Sequence, residues 1–85
     1  GVLKMAKILY FSTLADRLGK TAEELKLPPG VQDLRGLLAF LRQRGEEWPV
    51  YLIDDKSQAT VNRNFVELDA GINDLDEIGL MLSRR

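Results

Sequence analysis

The feature that most constrains the fold is a stripe of apolar residues with helical spacing in residues 31–41. The apolar positions recur three and four residues apart, and on a helical wheel they fall within an arc of about 120°. They are Val31, Leu34, Leu37, Leu38 and Leu41. Basic residues at positions 42 and 44 suit the C-terminal end of a helix, and Gly45 is a natural residue to end it. The spacing therefore predicts one amphipathic helix from Val31 to about Arg44, whose apolar side must cover a sheet or another helix.

Two strongly apolar segments near the ends of the chain can supply the surface that this helix needs. Ala6–Phe11 is rich in β-branched and aromatic residues, and from Ile8 onward it is apolar on both faces, which is typical of a central strand. Glu77–Leu82 is the second segment, and its alternate residues from Ile78 onward share one face. We therefore expect these two strands to pair at the centre of a sheet.

Three weaker strands are predicted between these two segments. Thr21–Leu27 ends at a Pro-Pro-Gly turn, and Gln58–Val61 and Asn64–Leu68 flank a tight polar break at Asn62–Arg63. The order is strand, strand, helix and then several short strands, in a single domain of residues 1–85. This order predicts an α+β fold, namely a β-grasp (ubiquitin-like) roll with a mixed sheet and one main helix packed on one face.

The connecting segments carry weaker local signals. Ser12 or Thr13 is expected to cap a short helix that ends at Gly19. Pro49 excludes a central strand from residues 48–53. Residues 54–57 are predicted to form a turn.

The residue types that are missing narrow the range of functions. The 85 residues include no cysteine and no histidine, so the chain has no disulfide, no thiolate nucleophile and no imidazole for acid–base chemistry. The sequence assigns no pair of carboxylates to acid and base roles, and its glycines match neither a P-loop nor a dinucleotide-binding pattern. We therefore expect a protein that is not an enzyme by itself, requires no cofactor and acts by being bound.

Charge and hydropathy exclude further classes of partner. The hydrophobic share of 45% fits a folded domain, and the net charge of −1 gives no broad positive field for nucleic acid. No stretch approaches the ~18 apolar residues of a membrane span. The N-terminal residues do not have the pattern of a signal peptide. These observations favour a cytoplasmic protein that binds neither nucleic acid nor membranes.

Two groups of residues have both a functional and a structural interpretation. Four carboxylates offer the oxygen ligands that a hard cation prefers, but turn formation explains their spacing better: Asp69, Asp74, Asp76 and Glu77. We therefore expect no metal site. Three aromatic residues could stack on single-stranded nucleic acid, but core positions in strands fit the acidic composition better: Tyr10, Phe11 and Phe65.

Several segments together resemble one known family. Two segments are similar to the C-terminal half of the small ubiquitin-like subunit of molybdopterin synthase and of its relative, the thiamine sulfur carrier. They are Thr60-Val61-Asn62-Arg63-Asn64-Phe65-Val66 and, after it, Asp74-Leu75-Asp76-Glu77-Ile78. Three further features resemble that family: the first strand, the Ala15-x-x-Leu18-Gly19 turn and the position of the leucine-rich helix. The resemblance extends from Ala6 to about Leu82 and implies the β-grasp fold and a sulfur-carrier function.

The resemblance also implies a mechanism and a set of partners. In the family, an E1-like enzyme adenylates the carboxylate of a C-terminal Gly-Gly, and sulfur is then transferred to give a thiocarboxylate. Glycine lets the tail enter a narrow channel, and no side chain of the carrier reacts. The implied protein partners are an E1-like adenylating enzyme or the large subunit of molybdopterin synthase, in molybdopterin (molybdenum cofactor) or thiamine-type biosynthesis.

The sequence departs from the family pattern at its last residues. Members continue after the Asp-Glu-Ile segment with two aromatic residues, two prolines, two variable residues and Gly-Gly. Here the sequence reads Gly79-Leu80-Met81-Leu82-Ser83-Arg84-Arg85. Three explanations stay open: the native chain continues beyond Arg85, the protein is a diverged member that no longer carries sulfur, or it is a β-grasp module with an unrelated binding role.

The candidate partner-binding residues come from strand alternation and from the tail. Leu9, Phe11 and Met81 alternate with the expected core positions, so we expect them on the sheet face that the helix does not cover. Ordinary burial in central strands is the alternative. The end of the last strand and the tail complete the candidate set: Leu82, Ser83, Arg84 and Arg85. The two terminal arginines either dock on an acidic partner surface or form an unstructured end.

Overall fold

A computed structural model describes residues 4–84 of the chain. Its elements in chain order are β1 (Ala6–Tyr10), α1 (Ser12–Leu18), β2 (Ala22–Leu25), α2 (Leu34–Arg42), α3 (Trp48–Tyr51), β3 (Ser57–Val61), β4 (Asn64–Val66) and β5 (Glu77–Leu82). A 3₁₀ turn at Asp54–Lys56 leads from α3 into β3. Within the described residues, no helix has the length and apolar character needed to cross a membrane.

The five strands form one mixed sheet in the order β2-β1-β5-β3-β4. β1 and β5 are parallel neighbours, with Ile8 beside Ile78, and every other pair of neighbouring strands is antiparallel. The two most apolar strands therefore pair at the centre of the sheet, as the sequence predicts. The α+β fold with a mixed sheet and one main helix, the β-grasp roll, is confirmed.

The core lies between α2 and one face of the sheet. α2 contributes four fully buried residues, Leu34, Leu37, Leu38 and Leu41. The sheet contributes Ala6, Ile8, Tyr10, Ala59, Ile78 and Leu80, all of them buried. Full burial of one leucine side chain contributes about 1.5–3 kcal/mol, so the four leucines of α2 contribute substantially to stability. This packing leaves the opposite face of the sheet without a covering helix.

The main helix begins at Leu34 rather than at the predicted Val31. Asp33 is the N-cap residue, and its Oδ1 accepts a hydrogen bond from the N–H of Gly36 at 2.7 Å. The first two N–H groups of the helix donate to carbonyl groups of the loop between β4 and β5. These contacts satisfy the donors at the helix start, while Val31 packs against the core from outside the helix.

Two glycines turn the chain after helices. Gly19, with φ +67°, is the C-cap of α1 and donates to the carbonyl of Ala15 at 2.9 Å, which confirms the predicted end of this helix. Gly45 has φ +80° and follows α2. However, α2 ends at Arg42 and not at the predicted Arg44.

The predicted cap of α1 is wrong. Phe11, and neither Ser12 nor Thr13, is the N-cap residue, and no side chain caps this end. The N–H of Phe11 still donates to the carbonyl of Leu80 at 3.0 Å, so the chain passes from the sheet into the helix without an intervening loop. Ser12 absorbs this turn with a left-handed φ of +52°.

The segment that follows α2 forms a short helix rather than a strand. Pro49 lies in the first turn of α3, where a proline removes no helical hydrogen bond. The Trp48 ring packs edge-on against the ring of Tyr10, with 5.5 Å between centroids. The turn predicted at residues 54–57 is the 3₁₀ turn through Lys56, and Ser57 already belongs to β3.

A polar cluster holds the edge strand β2 to the rest of the fold. The Tyr10 hydroxyl donates to Glu23 Oε2 at 2.7 Å, and Arg44 donates to both carboxylate oxygens of Glu23 at 2.7 and 2.8 Å. The Arg44 guanidinium also lies 4.4 Å from the ring centroid of Trp48. Burial raises the pKa of Glu23, but hydrogen bonds from Arg44 and Tyr10 outweigh this effect and hold the pKa below its ordinary value.

The break at Asn62–Arg63 is a two-residue hairpin turn between β3 and β4, as predicted. Both residues have left-handed φ, +51° and +74°, which is the geometry that matches the twist of the flanking strands. The Asn62 side chain donates to Asp76 Oδ1 and accepts from the N–H of Glu77, each at 2.9 Å. The turn is thereby fixed to the start of β5, which sets the register of the central strand.

Candidate partner-binding face

The candidate site lies on the sheet face opposite α2. The strand register places Leu9, Gly79 and Thr60 side by side across β1, β5 and β3, and Phe65 of β4 lies opposite Thr60. Because side chains alternate along a strand, these residues point away from the core. We call this surface the open face, and it consists of Leu9, Phe11, Gln58, Thr60, Phe65, Gly79 and Met81.

A groove of about 370 Å³ lies along the centre of the open face. The groove exists because Gly79, which lies between Leu9 on one neighbouring strand and Thr60 on the other, has no side chain. The ring of Phe11 lies over this glycine, so a Cβ at position 79 would be 2.8 Å from Phe11 Cε2. Met81 also lines the groove. The groove is mainly apolar and suits an inserted apolar side chain of a protein partner.

A second depression of about 620 Å³ adjoins this groove and leads toward the tail. Phe11 and Met81 line both depressions. The second one also includes Gln58, Phe65, Leu82, Ser83 and Arg84. The open face is therefore continuous with the residues by which the chain leaves β5.

The structure brings most of the predicted site residues together. Leu9, Phe11 and Met81 all lie on the open face, and Ser83 and Arg84 line its tail end. Leu82 lies on the other side of β5 and packs partly against the core while also lining the second depression. Arg85 lies outside the described residues. The binding role of these residues stays a prediction.

The placement of two aromatic residues corrects an expectation. Tyr10 is buried as expected, but Phe11 is 40% exposed and Phe65 is 65% exposed, so neither is a core residue. Both belong to the open face, because they alternate with core-facing neighbours on β1 and β4. The signal that could have identified Phe65 is the two-residue hairpin turn. Such a turn places Phe65 opposite Thr60, on the face away from the buried Ala59.

The charged residues near the open face form local contacts. Arg63 Nε lies 3.8 Å from Glu77 Oε2 at one end of the groove, and both side chains are accessible to solvent. Outside both depressions, in the turn before β5, the hydrogen bond from the N–H of Leu27, together with the ammonium of Lys26, holds the pKa of Asp74 below its ordinary value. These are the exposed, solvent-screened interactions of loops and turns.

Two of the four acidic residues noted in the sequence have structural roles. Asp76 accepts hydrogen bonds from the N–H of Asn73 at 2.8 Å and from the Asn62 side chain at 2.9 Å. Asp74 accepts from the N–H of Leu27 at 2.8 Å. Across residues 4–84, the carboxylates form no group of three or more that could hold a metal ion.

Comparison with known proteins gives both a family and structural relatives. The sequence model of the ThiS family matches residues 8–82. A Pyrococcus furiosus protein described as molybdopterin converting factor, subunit 1, has a similar structure with a TM-score of 0.72 and 25% identity, covering 94% of this chain and 98% of that one. No curated protein sequence matches significantly.

A second solved structure supports the fold alone. The solution structure of small archaeal modifier protein 1 from Methanosarcina acetivorans has a TM-score of 0.70 and 18% identity, and the similarity covers 99% of this chain and 97% of that chain. The family match extends over all five strands and the main helix except for the first two residues of β1. The chain therefore belongs to the ThiS family and is a ubiquitin-like protein of the sulfur-carrier type.

Proposed function

We propose that the protein is a non-catalytic sulfur carrier whose open face binds an E1-like adenylating enzyme or the large subunit of a molybdopterin synthase. The observation that carries this proposal is the continuity of the apolar groove with the exit of the chain from β5. A partner that covers the groove has the end of β5 within reach. The same surface then binds the partner and places the C-terminal tail where the partner can reach it.

The chemistry of the proposed role takes place on the terminal carboxylate of the native protein. A carboxylate oxygen attacks the α-phosphate of ATP and releases pyrophosphate, which gives an acyl-adenylate. A sulfide ion then attacks the acyl carbon, the carbon–oxygen bond to AMP breaks, and AMP leaves while the carrier keeps a thiocarboxylate. The carrier's own task in both steps is to bind and to orient its tail, which suits a chain without cysteine or histidine.

Apolar anchors in the groove are expected to supply most of the binding energy. Met81 and Phe11 line both depressions and surround the bare backbone at Gly79, so they are central to the face. Truncation or charging of such a central anchor typically costs at least about 1–2 kcal/mol, or tenfold in affinity. Leu75 provides a matched control, because it is 71% exposed but lies in the turn before β5, outside both depressions.

Calorimetric titration with the E1-like enzyme of the same organism tests the proposal. We expect Met81→Lys to weaken binding about tenfold or more, whereas Leu75→Lys binds like the unmodified chain. Equal affinity of the two variants for the enzyme would contradict the proposal that the open face is the binding surface. Far-UV circular dichroism of each variant separates lost binding from lost folding.

A second candidate function is a non-conjugating protein–protein interaction module with the same fold. One observation favours it: β5 continues as a regular strand through the positions where the resembling family has prolines. Leu82 pairs with Ser57, and the N–H of Ser83 donates to the carbonyl of Lys56 at 2.8 Å. The family's prolines stand at the positions of Met81 and Leu82, which here are paired residues of β5. Because proline is disfavoured inside a paired strand, this end of the sheet differs from the family pattern.

The reading frame of the gene beyond Arg85 separates the two functions. Two glycine codons would support the carrier, and a stop codon would support the interaction module. Capture of partner proteins by the native chain and by a variant without residues 83–85 then shows whether the tail contributes to binding. The carrier requires the tail for sulfur transfer, and the module retains its partner through the open face alone.

A further inference from the structure

The strand β4 forms one edge of the sheet, and its central residue is unusually exposed. β4 has three residues, Asn64–Val66, and is the last strand in the sheet order. Phe65 is 65% exposed, although it is a large aromatic residue. Edge strands of this kind are sites at which another strand can add to a sheet.

The backbone of Phe65 is oriented for such an addition. A two-residue hairpin turn closes on a hydrogen-bonded pair, here Val61 with Asn64, and the pairs of an antiparallel ladder then alternate. Thr60 and Phe65 are therefore the pair without mutual hydrogen bonds. It follows that the N–H and C=O of Phe65 point away from β3, toward the free side of β4.

The two edges of the sheet differ in their protection against self-association. The other edge strand, β2, carries Glu23 and Glu24, so antiparallel pairing of two β2 strands would bring carboxylates together. β4 has no charged residue and no proline between its ends. Short length, charges and prolines are the usual means of protecting an edge. β4 is short, with three residues, but it has neither of the other two kinds of protection, which leaves it as the edge more open to pairing.

We propose that β4 is a homodimer interface, in which β4 of one copy pairs antiparallel with β4 of a second copy about a two-fold axis at Phe65. In this register Arg63, the turn residue just before β4, comes close to Glu67, the residue just after β4, of the other copy. Both side chains are exposed, and that of Arg63 is 87% accessible. The symmetric contact therefore contains two complementary charge pairs, which favours a second copy of this chain as the occupant.

The geometry defines what the dimer looks like. The two-fold axis is perpendicular to the sheet, so two five-stranded sheets join into one and both open faces point to the same side. The two Phe65 residues form a hydrogen-bonded pair, with Cα atoms about 5.5 Å apart and rings on the same face. The contact buries less surface than a standard interface, which buries about 1,200–2,000 Å². We therefore expect association at high micromolar concentration rather than at nanomolar concentration.

A charge exchange tests this interface independently of any sulfur-transfer partner. We expect sedimentation velocity of the unmodified chain to show a monomer–dimer equilibrium that shifts with concentration. Arg63→Glu and Glu67→Arg should each weaken dimerisation at least about fivefold. In a dimer of either variant, both charge pairs across the interface consist of like charges, which repel each other. A one-to-one mixture of the two variants should associate more strongly than either alone, because both charge pairs are then complementary again.

Two controls complete the test. Glu24→Arg alters the charge of the opposite edge by the same amount and should leave dimerisation unchanged. Circular dichroism at low concentration checks that every variant is folded. A purely monomeric unmodified chain at millimolar concentration would overturn the proposal, and so would a mixture that associates no better than the single variants. Neither result bears on the proposed carrier function, because no partner enzyme is present.

Discussion

The ring of Phe11 lies directly over the backbone of Gly79, and a Cβ at position 79 would be only 2.8 Å from Phe11 Cε2 and would overlap Thr60 Oγ1. At the centre of the open face, Gly79 therefore has no side chain, and the ring of Phe11 covers its backbone. Because Gly79 is also in the central strand, its replacement affects both the fold and the proposed binding groove.

Gly79→Ala is expected to lower the free energy of unfolding by about 1–3 kcal/mol, because the added methyl group overpacks the contact with Thr60 and Phe11. Urea denaturation measures the change. Gly71→Ala is the matched control, since a Cβ there meets only the Gln32 carbonyl at an ordinary 3.7 Å. Equal stability of the two variants would contradict the described packing. Phe11→Ala should relieve part of the cost in the Gly79→Ala background.

The hairpin turn at Asn62–Arg63 offers two substitutions with opposite effects. Arg63→Gly should raise the free energy of unfolding by about 0.5–1 kcal/mol, because a left-handed φ is strained for arginine and not for glycine. Asn62→Gly should lower it, because the side-chain bonds to Asp76 and Glu77 are lost. Thermal unfolding in dilute solution measures both. Shifts of the same sign would show that the turn geometry is described incorrectly.

The contact between Glu23 and Arg44 predicts a loss of stability in acid. The pKa of Glu23 lies below its ordinary value of 4.5 in the folded protein, so the ionised carboxylate is favoured by folding. This contribution is present above pH 4.5 and is lost as the pH falls through the lower folded-state pKa. Glu23→Gln should cost about 1–3 kcal/mol near pH 7 and flatten the decline below pH 4.5.

Urea denaturation at a series of pH values tests the Glu23 prediction. Glu24→Gln serves as the control, because Glu24 is exposed on the same strand. If the stability of Glu23→Gln declines in acid as steeply as that of Glu24→Gln, the contact does not contribute in the predicted way.

The cap of the main helix sets where α2 begins. Asp33→Ala should lower the free energy of unfolding by about 1 kcal/mol, because the N–H of Gly36 loses its acceptor. Asp33→Ser keeps an oxygen in reach and should recover most of the loss. Thermal unfolding of the two variants provides the comparison. A serine variant as unstable as the alanine variant would show that the side-chain hydrogen bond to Gly36 is not the source of the effect.

The sequence predicted the elements whose signals are periodic. The leucine stripe identified α2, and the two most apolar segments identified the central pair β1 and β5, because burial on one or both faces imposes a repeating pattern. The start of α2 was misplaced by three residues, since Val31 continues the apolar spacing but lies outside the helix. Two contacts fix that boundary. The Asp33 cap is a local signal that the apolar spacing outweighed, whereas the hydrogen bonds that the first helical N–H groups donate to a distant loop leave no local pattern.

The candidate site was predictable only in part, for a similar reason. Alternation placed Leu9, Phe11 and Met81 on the face away from the core, because Leu9 and Met81 lie in strands with a clear core side and Phe11 directly follows β1. Phe65 was assigned to the core, because the acidic composition made a core position in a strand a better explanation than stacking on nucleic acid. Its exposure depends on β4 being the edge of the sheet, and edge position is a property of the whole topology rather than of neighbouring residues.

Intact mass spectrometry of the full-length native protein tests the central claim most directly. The protein is incubated with its E1-like enzyme, ATP and a sulfide donor, and a carrier already known to react serves as the positive control. We predict a mass increase equal to the replacement of one oxygen atom by one sulfur atom, which requires both the enzyme and ATP. An unchanged mass, under conditions in which the control carrier gains sulfur, would contradict the assignment of this protein as a sulfur carrier.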